Sequence, residues 1–168
     1  MIESLGHGDQ ASRPEGRDQV TAVVGAKRDV VIFASGATES NNLAILGLAD
    51  CGKEHGKLHL IGTRLEHKAV IEPLEAMEKQ GFEVTWLDSD DQGRVKVDQL
   101  KQALRPDTLL VSIMASNNET GVRQPLEAIC DIMERHDAFF HTDAAQAFGR
   151  TSNHYIGLTE KVGAEFHT

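Results

Sequence analysis

Four short stretches carry the residue types best suited to chemistry. At AFFHTDAAQAFG, residues 138–149, an apolar run leads into His141, Thr142 and Asp143, with Gln146 three positions further on. A carboxylate at the carboxyl end of a buried strand needs a partner or loses its charge. Asp143 and Gln146 stand one helical turn apart and are expected to point the same way. The stretch SGATESNN offers Gly36 for a tight turn, with the Thr38 and Ser40 hydroxyls beside a helix start that suits an anion. The plainer account of Thr38 or Ser40 is an ordinary N-cap. TRLEHK places His67 just before a helix, where it can stack on a flat ring or move a proton near neutral pH, or simply be a surface histidine. ASNNETG sets Asn117, Asn118 and Glu119 behind an apolar run; amides fix polar ligand atoms, and the same residues are common in turns.

The elements that must position these residues alternate along the chain. DVVIFA (29–34) predicts a strand, and TESNNLAILGLA a helix with Leu43, Leu46 and Ala49 on one face. LHLIG (58–62) predicts a second strand. AVIEPLEAMEKQG predicts a helix with Val70, Leu74 and Met77 on one stripe and Gly81 as its stop. FEVTWL (82–87) alternates as a strand, VDQLKQAL is a short helix, and TLLVSIM (108–114) is continuously apolar, as a central strand should be. PLEAICDIMERH predicts a helix with Pro125 at its start, and AFFH closes the series. The pattern implies an α/β fold: a mostly parallel sheet with helices on both faces. In such folds a ligand lies beyond the carboxyl ends of the strands, which is where all four stretches fall.

Composition sets outer bounds. The chain has 168 residues, 40% hydrophobic and 26% charged, enough for one ordinary core. A net charge of -9 without a basic face argues against nucleic acid or an anionic membrane as partner. Cys51 and Cys130 lie far apart without metal-ligand or redox spacing, so no metal is expected and both thiols are read as inert. No run approaches the roughly 20 apolar residues of a membrane span. No apolar leader region stands at the amino terminus, and a cytoplasmic setting is expected. Residues 1–16 read as a flexible segment, and RPEGRDQVTAVVGA as one helix ending at Gly25.

A ligand with a phosphate, a flat ring, a phenolic oxygen and a protonatable ring nitrogen would engage all four strand exits. Pyridoxal phosphate has these groups, and an aspartate is the usual partner of its ring nitrogen. SGATESNN, EHKAV, SIMASNNETGVRQP and HTDAAQAFG, in that order, resemble the class V aminotransferases, and most closely the cysteine desulfurase and selenocysteine lyase branch. The resemblance spans roughly residues 17–168. It implies that Ala37 and Thr38 bind the cofactor phosphate and that His67 stacks on the ring and serves as an acid/base. It further implies that Asn118 contacts cofactor and substrate, that Asp143 pairs with the ring nitrogen, and that Gln146 pairs with the phenolic oxygen.

The resemblance also defines what to expect beyond these motifs. Its Schiff-base lysine follows a Ser-x-His and would fall just after Thr168. Lys161 and Lys68 are read as surface residues. The sulfur-accepting cysteine loop and a carboxyl-terminal small domain would also lie outside, so residues 17–168 are expected to be a partial cofactor-binding large domain. The implied activity is conversion of L-cysteine to L-alanine with sulfur passed to an acceptor protein, in a homodimer. The alternatives are a truncated, non-catalytic remnant or partner of a full-length homologue, and selenocysteine lyase or another class V activity. Apolar strand surface left uncovered would make such a piece poorly soluble.

Overall fold

The computed structural model describes residues 18–19, 32–147 and 165–167. Within them, ten elements follow one another: α1 (Ala37–Leu46), α2 (Ala49–His55), β1 (His59–Thr63), α3 (Lys68–Lys79), β2 (Glu83–Leu87), α4 (Val97–Ala103), β3 (Thr108–Ser112), α5 (Leu126–Met133), β4 (Phe139–Asp143) and β5 (Glu165–His167). The five strands form one sheet in the order β2-β1-β3-β4-β5, and every pairing is parallel. The expected α/β class is observed, with β3 in the centre. Its five residues are all buried, as a continuous apolar run covered on both faces requires.

Strand alternation divides the core in two. Leu60 and Leu110 pack with Ile45, Val70, Leu74 and Met77 under α1 to α3. Their neighbours Ile61 and Val111 pack with Leu100, Ile129, Cys130 and Met133 under α4 and α5. Helices thus cover both faces. The α3 stripe of Val70, Leu74 and Met77 is fully buried as its spacing predicts, and the chain leaves α3 through Gly81 at φ 97°, a left-handed turn that disfavours a side chain.

Three expectations need correction. Of the predicted first strand, 29–31 lie outside the described residues, and Ile32, Phe33 and Ala34 are not in a strand; Ile32 is 57% exposed. The predicted helix over TESNNLAILGLA is two helices, α1 and α2, broken at Gly47 and Leu48. A Cβ at Gly47 would stand 2.4 Å from the Leu43 carbonyl oxygen, so the tight break depends on glycine. The buried face of α1 is also not the Leu43 face: Leu43 is 50% exposed, while Ser40, Asn41 and Ile45 are buried. Residues 1–16, and all but two residues of the predicted helix ending at Gly25, lie outside the described residues; Asp18 and Gln19 are helical.

Gly52, inside α2, touches the sheet directly. A Cβ there would sit 2.8 Å from the Lys57 carbonyl oxygen, from Leu109 Cδ2 and from Phe82 Cε1. Alanine would gain up to about 1 kcal/mol of helix propensity, but a fixed carbonyl and two buried side chains cannot yield, and overpacking costs about 1–3 kcal/mol. Gly52→Ala is therefore expected to lower stability by about 1–2 kcal/mol in urea unfolding; equal or higher stability would show that α2 can lift from the sheet.

Candidate active site

The four stretches meet at the carboxyl edge of the sheet. Asp143 is the last residue of β4 and is 9% exposed. Its Oδ2 accepts from Asn41 Nδ2 at 2.9 Å and its Oδ1 from the Ala145 N–H at 2.9 Å. Each carboxylate oxygen can accept a further hydrogen bond, so the pair still has room for a ring N–H. The carboxylate therefore has partners within the chain, and one of them comes from α1.

Helix α1 starts at Gly36, and no side chain caps it. Neither Thr38 nor Ser40 is the cap: Thr38 lies inside the first turn, and Ser40 is buried. Among the described residues no side chain takes the first N–H groups, which suits them to an incoming acceptor. A Cβ on Gly36 would meet nothing within 4 Å, so space is open beside this turn. Glu39 is the one acidic group in the turn. Its Oε2 takes the Ser35 N–H, and hydrogen bonding from the Ser35 side chain, then from that N–H, holds its carboxyl below the usual range.

His67 supplies the side-chain cap that α1 lacks, but to α3. Its Nδ1 accepts from the Ala69 N–H at 3.1 Å, while the residue stays exposed. That bond fixes the ring and, in the neutral form, puts the proton on Nε2. Of the two asparagines in the next exit, Asn117 is the structural one. Its Nδ2 donates to the Leu65 carbonyl at 2.9 Å, and its Oδ1 accepts from the N–H groups of Glu119 and Thr120. Asn118 is left exposed in the turn beside it. Gln146 does not share the environment of Asp143: it is exposed in a turn closed by the Ala147 N–H to the Ala144 carbonyl, where a helical turn was expected. Lys68 is exposed at the start of α3, whereas Lys161 lies outside the described residues.

Glu66 was passed over in the sequence in favour of His67, yet it is the more deeply set. It is 6% exposed. Its Oε1 accepts from the Thr63 hydroxyl at 3.1 Å and from the Met114 N–H at 2.8 Å, while its Oε2 has no partner among the described residues. Burial, aided by the nearby negative charge of Asp143, pushes its carboxyl up to about 8. Glu66 and Asn117 together staple the β1 exit to the β3 exit. The backbone does the same for β3 and β4, since the Ala115 N–H donates to the Asp143 carbonyl at 2.8 Å. No cluster of His, Cys, Asp and Glu among the described residues could hold a metal ion, and no helix among them is long and apolar enough to cross a membrane.

The model of the aminotransferase class-V family matches residues 4–155. The chain belongs to the aminotransferase class-V family. The likeness read from SGATESNN, EHKAV, SIMASNNETGVRQP and HTDAAQAFG is thereby borne out. Among curated relatives of this class-V chain, the putative cysteine desulfurase IscS 1 of Bacillus subtilis (strain 168) is 47% identical over 148 residues, 88% of the chain and 39% of that protein. The mitochondrial cysteine desulfurase of Saccharomyces cerevisiae is 50% identical over 134 residues, 80% of the chain and 27% of that protein. The class-V chain thus spans less than two fifths of the length of these relatives. Among solved structures, DndA from Streptomyces lividans superposes with a TM-score of 0.82 at 41% identity, over 92% of the chain and 44% of its own. SspA, solved in complex with cysteine, superposes with a TM-score of 0.77 at 42% identity, over 82% of the chain and 39% of its own.

Proposed function

We propose that this chain carries part of the cofactor-binding large domain of a pyridoxal-phosphate-dependent cysteine desulfurase, with residues 17–168 as that part. The observation that supports it is the pairing of Asp143, a buried strand-end carboxylate, with the uncapped start of α1 through the Asn41 bond. The donor set fits the cofactor. N–H groups and the Thr38 hydroxyl suit a phosphate, an acceptor carboxylate suits a pyridinium N–H, and the exposed His67 ring offers a flat face. The substrate follows from the relatives, which are cysteine desulfurases; L-cysteine would yield L-alanine with the sulfur passed to an acceptor protein.

When bound, pyridoxal phosphate supplies an electron sink for the bonds around the substrate's α-carbon. The chain's own residues would orient and tune it. Ala37 and Thr38 would hold the phosphate at the start of α1, and Asp143 would keep the ring nitrogen protonated. His67, fixed through Nδ1, would cover the ring and present Nε2 for proton transfer. Asn118 and Gln146, exposed in their turns, are free to reach the substrate carboxylate and the phenolic oxygen. The same reading carries a homodimer and a cytoplasmic setting.

The test is visible circular dichroism of the chain titrated with pyridoxal phosphate, since an achiral chromophore gains a signal only in an asymmetric site. A saturable band is expected, competed by inorganic phosphate. Thr38→Val, which removes one hydroxyl, is expected to weaken binding about five- to tenfold. Absence of a saturable band, or affinity indifferent to Thr38→Val, would sink the phosphate assignment.

A further inference from the structure

The roles above leave three buried polar side chains behind Asp143 without a task. Asn41, His141 and Ser112 are 1%, 3% and 0% exposed. Ser112 and His141 are register partners on neighbouring parallel strands, and strand alternation puts His141 on the same face as Asp143. Asn41 reaches down to that face from α1. Besides its bond to Asp143, Asn41 has its Oδ1 3.2 Å from His141 Nε2, and His141 Nδ1 lies 2.8 Å from Ser112 Oγ.

The chemistry of the partners sets the direction of every bond in this series. An ionised carboxylate only accepts, so the NH2 group of Asn41 must face Asp143 and its oxygen must face His141. An amide oxygen also only accepts, so His141 must carry a proton on Nε2. In a neutral ring Nδ1 is then an acceptor, and the Ser112 hydroxyl donates to it. Donation runs from Ser112 through His141 and Asn41 to Asp143. Were the His141 donor lost, nothing behind Asn41 would hold its amide oxygen in place.

We propose that Asn41 is the positioning residue of Asp143, its amide locked from behind by His141 and Ser112, so that the start of α1 and the end of β4 hold one fixed spacing. Asn41 follows Thr38 by three residues, about 4.5 Å along a rigid helix axis. A ligand anchored by its anion at the start of α1 therefore meets the Asp143 carboxylate at a set distance. This role rests on the cofactor reading, and the hydrogen-bond series beneath it can be tested without cofactor.

Nitrogen-15 NMR of the histidine-labelled, cofactor-free chain is expected to show His141 as the Nε2–H tautomer. The Nδ1–H tautomer would overturn the proposal, because His141 would then set a lone pair against the Asn41 oxygen and could not lock the amide. In binding experiments, Asn41→Leu is expected to weaken pyridoxal phosphate about tenfold while inorganic phosphate binds within about twofold of the parent. Asn41→Asp, similar in shape but placing a second carboxylate against Asp143, is expected to be worse than Asn41→Leu. If both variants merely lower the melting temperature and keep the parent's ratio of the two affinities, Asn41 is structural only and the proposal fails. The expected tautomer in a chain that shows no cofactor binding would uphold the hydrogen-bond series and overturn the cofactor reading instead.

Discussion

Glu66→Gln is expected to match the parent in stability below about pH 4 and to exceed it by up to about 4 kcal/mol near pH 8. Folding raises the Glu66 carboxyl from 4.5 to about 8, chiefly by burial, so the folded chain binds a proton that the unfolded chain has released. Between these two values the unfolded state holds fewer protons, and stability must fall as pH rises. Above about 8 the loss is complete. Glutamine removes the titration while its Oε1 keeps the Thr63 hydroxyl and Met114 N–H bonds. Its NH2 replaces an oxygen that already has no partner among the described residues, so the variant adds little new cost. His59 works in the opposite sense. Burial depresses its pKa first, then the charge of Arg105, so its contribution is lost as pH falls below 6.5. Comparing Glu66→Gln with the parent cancels that background. Urea unfolding at several pH values gives the difference directly, and parallel curves would show that Glu66 stays ionised in the folded chain.

Asp143→Asn is expected to lower the affinity for pyridoxal phosphate about 10- to 100-fold, the size of a lost hydrogen bond to a charged group. Asparagine keeps the shape and still offers an oxygen to Asn41. Asp143→Ala would be a poorer probe, because it would leave the buried Asn41 NH2 unpaired, at about 1–3 kcal/mol, and would also remove the acceptor of the Ala145 N–H. In a longer protein that turns over cysteine, Asp143→Asn should also slow the chemical step with little change in KM. Unchanged affinity and turnover would remove Asp143 from the site. A second readout accompanies it: without the Asp143 charge, the Glu66 carboxyl should titrate lower than in the parent, burial remaining its main cause.

The frame of the sheet was legible because each of its signals is local. The apolar run TLLVSIM marks a strand covered on both faces, and α3 combines a stripe at Val70, Leu74 and Met77 with a glycine stop. Asp143 was found for a similar reason, as a charge at the end of an apolar run. The polar residues that support the candidate site were hidden for other reasons. Helix α1 turns Ser40 and Asn41 inward and Leu43 outward, so a search for apolar stripes selects the wrong face. Asn117 and Asn118 are identical neighbours, and only the fold shows which one ties two loops together and which faces outward. Glu66 stands in a loop, where no periodicity signals burial, beside a histidine that draws attention as the more usual proton carrier.

The order β2-β1-β3-β4-β5 has a consequence for how the chain folds. Strands β1 and β2 pair across a single helix, whereas β3 reaches its place beside β1 only after α3, β2 and α4 have been looped out. Loop-closure entropy must be met before those distant contacts form, so the β1-α3-β2 unit is expected to form early and the β1 to β3 pairing late. Until then the edge of β1 that will receive β3 is open, with Leu60 and Ile61 uncovered. Aggregation during refolding should therefore depend on how quickly β3 docks, and substitutions in β3 should slow folding more than those in β2.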